Sequence, residues 1–364
     1  MRAAVLNEQP GRLEIEDVRV DDPGPGDVLL RTVGAGLCHS DLHFMEGIFR
    51  SRLPAVLGHE SAGVVEAVGD GVSYVKPGDH VICCLSIFCG ECRHCLSGHP
   101  NRCNNPAATS RPKGAPPRLS RPDGTPVDQF ARLGGFAEMM LVHQNGLVKI
   151  TDEMPLDRAS LIGCGVTTGM GAVFRTAKVE PGSRVCVIGA GGIGLAAIQA
   201  ARIAGAGQVI VVDVSGPKLQ TARQMGGTDL VNAREVDDVV AAVKDLSGGG
   251  VDYSFEAIGF KETAEQAFNM LDLGGTATVI GMVPSKTTIE IKGMDLLSEK
   301  KLQGSMMGSN QFRVDMPNMV RMYLDGRLML DEMVSSTITL DEVNDGYDLM
   351  RKGEATRTVI RFDS

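Results

Sequence analysis

The stretch RVCVIGAGGIGLAAIQAARIAGAGQVIVVDVS, residues 184–215, alternates between two kinds of local structure. Two apolar runs typical of buried strands, RVCVIG and QVIVVDV, flank a helical segment. The turn between the first run and the helix carries four glycines: Gly189, Gly191, Gly192 and Gly194. Glycines at this turn let the backbone approach a pyrophosphate, which the N-terminal amides and dipole of a helix bind. The stretch therefore predicts a dinucleotide-binding βαβ unit.

The acid at the end of the second strand indicates which dinucleotide binds. Asp213 is placed to accept hydrogen bonds from the adenosine ribose, and its carboxylate would repel a 2′-phosphate. No arginine follows it directly, so the sequence favours NAD over NADP. Lys218 is the expected further contact to the ribose or the adenine. The alternative is a glycine-rich turn with a purely structural role.

Outside this stretch the chain divides into regions of different pattern. Strands and helices alternate from residue 161 to residue 306, which predicts a doubly wound parallel sheet of the Rossmann type. Residues 1–160 carry short strands closed by Gly, Pro or Asp, typical of a mainly antiparallel, barrel-like domain. Residues 307–364 hold two amphipathic helices and a last strand, and the pattern alone assigns them to neither domain. We predict an α/β protein of two domains.

Composition excludes several classes of protein. A net charge of −9 argues against nucleic acid as a partner, and no apolar run is long enough to span a membrane. The first residues lack the apolar core of a signal peptide, so we expect a soluble, cytoplasmic protein. Nine cysteines in such a chain favour metal ligation over disulfides.

Four of the cysteines lie in one short segment, CGECRHCLSGHPNRC. Their spacing is C-x2-C-x2-C-x7-C: Cys89, Cys92, Cys95 and Cys103. Four thiolates can close a tetrahedron around zinc, and a site without an open position is structural. The alternative is an iron–sulfur cluster, but its bacterial motif brings the fourth Cys sooner and follows it with Pro. His94 and His99 lie in the same segment and are expected on the surface.

Three more possible metal ligands are scattered along the chain: Cys38 in GLCHSDLHF, His59 in VLGHESAG and Cys164 in LIGCGVTTG. Spacing cannot show that they meet, and each alone is more often an ordinary buried residue. Two other segments stand out. The Pro- and Arg-rich segment 104–134 predicts a long surface loop that is functional or mobile, or else a solvated lip. The Met-rich tract 294–308 predicts core or subunit contact.

The chain resembles the zinc-dependent medium-chain alcohol dehydrogenases along nearly its whole length. The matching pieces are CHSD, GHESAG, CGECRHC with Cys103, GCGVTTG, GAGGIG with Asp213, and ATRTVIRF. The resemblance implies a GroES-like catalytic domain, 1–160 with 307–364, and an NAD-binding Rossmann domain, 161–306. It also implies NAD and two zinc ions per chain, and reversible oxidation of an alcohol, bound as a zinc alkoxide, to an aldehyde or ketone.

The resemblance assigns roles around the catalytic zinc. It implies that Cys38, His59 and Cys164 bind the metal, with the fourth position left for water or the substrate oxygen. Glu60 is implied as a carboxylate that can approach the metal during ligand exchange. Asp41 is implied as the acceptor that orients the His59 ring.

A proton path and three cofactor contacts are implied in the same way. The displaced proton is expected to pass from the Ser40 hydroxyl through the cofactor ribose to His43 at the solvent edge. His39 and Arg357 match positions that face the cofactor pyrophosphate, and Thr168 matches one that lies against the nicotinamide.

Several alternatives stay open from the sequence. The substrate is expected to be a primary alcohol, with secondary and aromatic alcohols as alternatives. Relatives that oxidise thiol adducts of formaldehyde usually lack a His at the place of His43. A nicotinoprotein that retains NADH would carry the same motifs, whereas a non-catalytic nucleotide and metal sensor fits poorly. The long segment 104–134 favours a homodimer over a tetramer.

Overall fold

The computed structural model describes residues 1–50 and 52–362. The strands are β1 (Arg2–Leu6), β2 (Leu13–Asp17), β3 (Arg19–Val20), β4 (Asp27–Gly36), β5 (Ala55–Val56), β6 (Glu60–Val68), β7 (His80–Cys83), β8 (Leu119–Ser120), β9 (Asp128–Gln129), β10 (Met139–His143), β11 (Leu147–Lys149), β12 (Arg184–Ile188), β13 (Gln208–Asp213), β14 (Asp229–Asn232), β15 (Val251–Glu256), β16 (Leu271–Val279), β17 (Lys301–Gly304), β18 (Ser336–Ile338) and β19 (Thr358–Arg361). The helices are α1 (His39–Met45), α2 (Arg93–Leu96), α3 (Leu156–Leu161), α4 (Thr167–Gly171), α5 (Gly192–Ala204), α6 (Gly216–Gln224), α7 (Val239–Ser247), α8 (Lys261–Asn269), α9 (Phe312–Leu324) and α10 (Val343–Lys352). Within the described residues, none of these helices combines the length and the apolar composition that crossing a bilayer requires.

The chain forms two compact units. The first comprises Met1–Cys164 and Gln311–Ser364, and the second comprises Gly165–Asn310. The C-terminal segment, which the sequence pattern left unassigned, therefore belongs to the first unit. The domain bounds drawn from the sequence, at residues 160 and 307, stay a prediction, because compactness does not show which residues bind the cofactor.

The second unit is built on a six-stranded sheet in the order β14-β13-β12-β15-β16-β17. Every neighbouring pair in it is parallel. Its central strands are near-continuous apolar runs because helices cover both faces of such a sheet. The first strand of this sheet along the chain, β12, lies in the middle. The next two strands, β13 and β14, extend the sheet on one side, and β15 to β17 extend it on the other. This strand order confirms the predicted Rossmann fold. In such folds, ligands bind at the carboxyl ends of the strands, at the point where the strand order reverses.

The first unit is mainly antiparallel, as predicted. Its largest sheet runs β11-β7-β6-β4-β19-β18, with β10 also paired to β4. A four-stranded sheet, β2-β1-β5-β9, and the pair β3-β8 complete it. The ten-residue β4 organises the unit, because it pairs with β6 along one edge and with β10 and then β19 along the other.

More than half of the residues in the segment 104–134 are exposed, as expected of a surface loop, but three of its arginines are anchored. Asp27 is 1% exposed and accepts hydrogen bonds from Arg111 Nε at 2.8 Å and Arg118 Nη2 at 2.6 Å. Arg121 Nε donates to Glu16 Oε2 at 2.8 Å. These arginines tie the middle of the segment to the first unit. The functional role expected of the segment stays a prediction.

Candidate active site

The stretch GLCHSDLHF spans the end of β4 and the start of α1. Cys38 takes the N-cap position with extended backbone angles, so its side chain leaves the chain where the helix begins. Asp41 lies on the inward face of α1 and is fully buried, whereas His39 is exposed. The first turn of α1 thus directs some of these neighbouring polar side chains into the protein and others towards solvent.

The structure brings the scattered ligand candidates together. One ligand atom from each of Cys38, His59, Glu60 and Cys164 lies within 4.8 Å of the others, and all four residues are buried. Cys164 sits in a π-helical turn, Ile162–Val166, that follows α3. Two thiol sulfurs and an imidazole nitrogen are the donor set of a catalytic zinc site, so these residues fit the metal.

Asp41 fixes the orientation of the His59 ring. Its Oδ2 lies 3.0 Å from His59 Nδ1, and its Oδ1 accepts a hydrogen bond from the Gly58 amide at 3.0 Å. Nε2 is therefore the nitrogen left for a metal. Burial lowers the pKa of His59, but the Asp41 carboxylate and the Cys38 sulfur raise it more, to about 10. Zinc binding at this site has to displace that proton.

Glu60, the fourth residue of the site, is bound by Arg357, which the resemblance assigned to the cofactor pyrophosphate. Arg357 Nη2 donates to Glu60 Oε2, and both side chains are buried. The two approach because β4 pairs with both of their strands: Gly36 stands opposite Glu60 on β6 and opposite Val359 on β19. A Cβ at Gly36 would lie 2.6 Å from Glu60 Oε2, so only glycine leaves room for the pair. The pyrophosphate contact expected of Arg357 stays a prediction.

The two residues of the expected proton path lie one turn apart on α1. Ser40 Oγ is 3.7 Å from Cys38 Sγ, beside a metal ligand. The His43 ring packs against Phe49 with ring centroids 5.8 Å apart. Its Nδ1 is buried and has no hydrogen-bond partner among the described residues. Buried polar atoms are usually hydrogen-bonded, so Nδ1 has a hydrogen-bonding position that the described protein atoms leave open.

The four clustered cysteines form a second site, as the sequence predicted. The Sγ separations are 3.8 Å for Cys89–Cys95, 3.5 Å for Cys92–Cys95 and 4.0 Å for Cys92–Cys103. A tetrahedron with Zn–S bonds of about 2.3 Å has edges of about 3.8 Å, so the four sulfurs fit one zinc ion. Amides also support the sulfurs: Cys92 N lies 3.2 Å from Cys89 Sγ, and Cys89 N lies 3.3 Å from Cys103 Sγ. His94 and His99 are not members of the cluster.

Three glycines in the turn between β12 and α5 are favoured at their positions for three different structural reasons. Gly189 adopts a φ of +97°, in the left-handed region. A Cβ at Gly194 would lie 1.7 Å from the Gly189 carbonyl oxygen, so α5 could not pack against the turn. A Cβ at Gly191 would meet no protein atom within 4 Å, which leaves an open cradle beside the first residue of α5, Gly192. The cradle fits a pyrophosphate.

Three further cofactor candidates lie in the second unit. Asp213 ends β13, and its carboxylate accepts hydrogen bonds from the Ala190 amide at 2.7 Å and the Ser215 amide at 2.9 Å. Lys218 is half-buried on the following helix, α6. Thr168 on α4 is buried, and its hydroxyl donates to Met307 Sδ at 3.4 Å. Sequence reasoning missed Met307, whose φ of +51° is strained for a non-glycine residue.

Two protein-family models match different parts of the chain. The model of the family "Alcohol dehydrogenase GroES-like domain" matches residues 24–152, and that of "Zinc-binding dehydrogenase" matches residues 192–324. The S-(hydroxymethyl)glutathione dehydrogenase of Paracoccus denitrificans is 37% identical, with 99% of each chain covered.

Solved structures are similar over the full chain. The alcohol dehydrogenase zinc-binding domain protein from Burkholderia ambifaria is 34% identical with a TM-score of 0.95, and 100% of this chain and 99% of that chain are covered. The benzyl alcohol dehydrogenase from Acinetobacter calcoaceticus is 32% identical with a TM-score of 0.93 and the same coverage. With two sulfur-rich metal sites and a dinucleotide turn in place, the chain belongs to the zinc-dependent medium-chain alcohol dehydrogenase family and takes NAD and zinc as its cofactors.

Proposed function

We propose that this NAD-dependent zinc alcohol dehydrogenase converts an uncharged primary alcohol reversibly to its aldehyde, with Cys38, His59 and Cys164 as the ligands of the catalytic zinc. One observation carries the proposal: the ligand atoms of these residues and Glu60 converge within 4.8 Å in a buried site. Three such ligands leave one coordination position for a substrate. The pairing of Glu60 with Arg357 explains how a fourth potential ligand can stand by without filling that position.

Zinc and NAD would supply the reactive chemistry. When bound, zinc lowers the pKa of a coordinated hydroxyl, and NAD accepts a hydride. The chain contributes orientation. Asp41 fixes the His59 ring, and the Gly58 amide fixes Asp41, so neither ligand geometry nor tautomer has to change during turnover.

Two residues of α1 accept and pass on the proton that leaves the alcohol. Ser40 lies next to the ligand Cys38, where its hydroxyl can accept that proton. His43 follows one turn later with a buried, unpartnered Nδ1, and we assign to it the outer end of the path. An imidazole suits this exchange because its ordinary pKa lies near neutral pH.

Cofactor binding is assigned to the turn after β12 and to its surroundings. Gly191 and Gly192 face the pyrophosphate, while Gly189 and Gly194 permit the turn itself. Asp213 binds the adenosine ribose, and its charge selects NAD. The same proposal assigns Lys218 to the ribose or adenine, Thr168 to the nicotinamide, and His39 and Arg357 to the pyrophosphate.

A second candidate substrate is the glutathione adduct of formaldehyde. The name of the Paracoccus denitrificans relative favours it, whereas the name of the Acinetobacter calcoaceticus structure favours an aromatic alcohol. The two substrates differ in charge, since a glutathione adduct carries carboxylates and benzyl alcohol carries none. A direct comparison of turnover therefore separates them.

A homodimer is the proposed assembly, and the edge of the second unit's sheet supports it. The edge strand β17 has one paired neighbour, and the preceding segment exposes apolar side chains. Met294 is 73% exposed, Leu296 51% and Leu297 80%. These residues belong to the Met-rich tract 294–308, which was predicted to lie in the core or at a subunit contact. Because they are exposed, they do not belong to the core, and we assign them to a subunit contact. A cytoplasmic location is proposed because the free thiols of both metal sites need reducing conditions.

The test is NADH formation by the purified protein. NAD is supplied with ethanol, hexanol, benzyl alcohol, or formaldehyde plus glutathione, before and after treatment with a zinc chelator. Chelator-sensitive turnover of an uncharged alcohol supports the proposal, and preference for the formaldehyde mixture supports the second candidate. Turnover only with an added electron acceptor, with NADH retained through purification, would indicate a nicotinoprotein. No turnover by protein with both zinc ions bound would favour the sensor.

A further inference from the structure

A cavity of about 310 Å³ lies in the first unit, and none of its lining residues belongs to either zinc site. It lies where β4 changes partners in the large sheet. Along one edge of β4, β10 pairs with residues 27–31 and β19 pairs with residues 34–36. Thr32 and Val33 lie between these two pairings, where the Thr32 amide donates to the Glu138 carbonyl at 2.9 Å and the Phe362 amide donates to the Val33 carbonyl at 3.1 Å. The pairing of β4 with β6 also shifts register there.

Three arginines line this cavity: Arg2, Arg31 and Arg361. Arg2 pairs with Asp341, and Arg31 Nε lies 2.9 Å from Glu66 Oε1. Both pairs are solvent-exposed, so each is weak and can be shared with a ligand. Arg361, the last residue of β19, has no ion-pair partner among the described residues. Three guanidinium groups at one place are notable in a chain of net charge −9.

The acidic residues of the lining are already engaged. Glu138 Oε2 accepts a hydrogen bond from the Arg2 amide at 2.7 Å, and Asp341 accepts from the Arg2 side chain. Together with Glu66, the partner of Arg31, they balance the charge of the three arginines, and Arg361 is the arginine without an ion-pair partner among the described residues. One such guanidinium matches the charge of a monoanion.

The lining also includes apolar residues. Met139, Leu340 and Phe362 line the cavity, and the last two are buried. Thr32 also lines it, is 2% exposed, and has a hydroxyl with no hydrogen-bond partner among the described residues. At about 30 Å³ per water, the volume equals about ten waters, room for a small organic molecule.

We propose that this cavity binds a small organic monoanion, with its carboxylate on the Arg361 guanidinium and its compact apolar body against Met139, Leu340 and Phe362. Guanidinium groups bind carboxylates through paired, charge-assisted hydrogen bonds, which gives Arg361 both the energy and the geometry for this role. A phosphate group has related chemistry, but its two negative charges exceed the one positive charge of Arg361.

The test uses the zinc-loaded protein and three probes with the same ring: benzoate, phenyl phosphate and benzylammonium. Dissociation constants are measured by calorimetry and ligand-observed NMR at constant ionic strength. The variants are Arg361→Gln and, as a matched control, Arg19→Gln, which removes an exposed arginine of the same unit outside the cavity. Because a carboxylate can also enter the catalytic site, alcohol turnover of each variant is recorded separately.

Benzoate is expected to bind the wild type and Arg19→Gln equally and to bind Arg361→Gln about ten-fold more weakly. Benzylammonium is expected not to bind, and turnover without benzoate is expected to be the same in all three proteins. Equal benzoate affinity in all three, or no benzoate binding by the wild type, overturns the proposal. Tighter binding of phenyl phosphate than of benzoate overturns the carboxylate assignment.

Discussion

Arg357 donates a hydrogen bond to Glu60 inside the buried zinc site, although 297 positions separate the two residues in the chain. A buried ion pair is sensitive to the loss of one partner, because the remaining charge has neither water nor a counter-ion. Glu60 is also next to the ligand His59 and close enough to the ligand atoms to compete for the metal. The pair thus connects the last strand of the first unit to the chemistry of the zinc.

Replacing Arg357 with Leu should therefore disturb both stability and metal coordination. We expect the free energy of unfolding of the zinc-loaded protein to fall by about 3 kcal/mol, since the buried Glu60 carboxylate loses its guanidinium partner. Turnover should also fall, because the Glu60 carboxylate can then occupy the open coordination position. The double variant Arg357→Leu/Glu60→Gln removes the buried negative charge and should recover part of the stability. Denaturant unfolding, with zinc content measured in parallel, checks this; a double variant less stable than Arg357→Leu would contradict it.

Replacing His43 with Gln tests the proton path. Turnover near neutral pH should fall about ten-fold or more, since the outer proton acceptor is gone. An added imidazole buffer should restore part of the rate, because a soluble base can take the same proton. Steady-state rates across pH, with and without the buffer, provide the measurement. An unchanged pH profile would remove His43 from the path.

The two zinc sites should be separable by single substitutions. Cys164→Ser should lower the bound zinc from two ions per chain to one and abolish turnover, with the fold retained. Cys103→Ser should also lose one zinc, but its main effect should be on stability, since the four sulfurs hold a short segment together. Zinc content, thermal unfolding and activity of the two variants check the assignment. Loss of activity with both zinc ions still bound in Cys164→Ser would exclude this cysteine as a ligand.

The role of Asp213 predicts a change in cofactor preference. Asp213→Ala removes the acceptor for the ribose hydroxyls and the charge that repels a 2′-phosphate. The KM for NAD should rise about ten-fold, and the ratio of kcat/KM for NAD to that for NADP should fall by more than that. Because Asp213 also accepts the Ala190 and Ser215 amides, thermal unfolding has to be measured alongside. A lower melting temperature with unchanged cofactor preference would leave Asp213 a structural role only.

The stability of the second unit should depend on acid through Asp252. A hydrogen bond from Arg184 holds the pKa of this carboxyl below its ordinary value of 3.8. The unfolded chain therefore binds the proton more readily, so the stabilisation is complete above the ordinary pKa and is lost as pH falls through the lower, folded value. Both side chains are partly exposed, so the contribution is below about 1 kcal/mol. In Arg184→Leu, the free energy of unfolding should fall less steeply between about pH 4 and pH 2 than in the wild type; identical slopes would contradict this.

Sequence predicted best what is local in the chain. The turn from Gly189 to Gly194, the acid at Asp213 and the four clustered cysteines each lie in one short stretch, where spacing determines geometry. The first zinc site is different, because Cys38, His59 and Cys164 come from a helix start, a strand entry and a π-turn. Only their resemblance to a known pattern connected them before the structure did.

The contacts that sequence missed depend on how strands pair. Arg357 reaches Glu60 because β19 and β6 lie on opposite edges of β4, and no periodicity in the chain reports that order. The one local signal was Gly36, whose missing side chain makes room for the pair. The anchoring of Arg111 and Arg118 on Asp27 is hidden in the same way, since charged residues in a Pro-rich segment usually indicate exposure.

The division of the chain into units has a consequence for synthesis on the ribosome. Domains generally fold as units as they emerge, and the second unit, 165–310, is one continuous piece of chain. The first unit is interrupted by it, and β4 lacks its partner β19 until residues 358–361 have been made. All three proposed ligands of the catalytic zinc are translated by residue 164, long before Arg357 is available to engage Glu60. The nascent chain therefore passes through a stage in which these thiols have been made but their sheet is incomplete, so a reducing environment or early metal loading protects them.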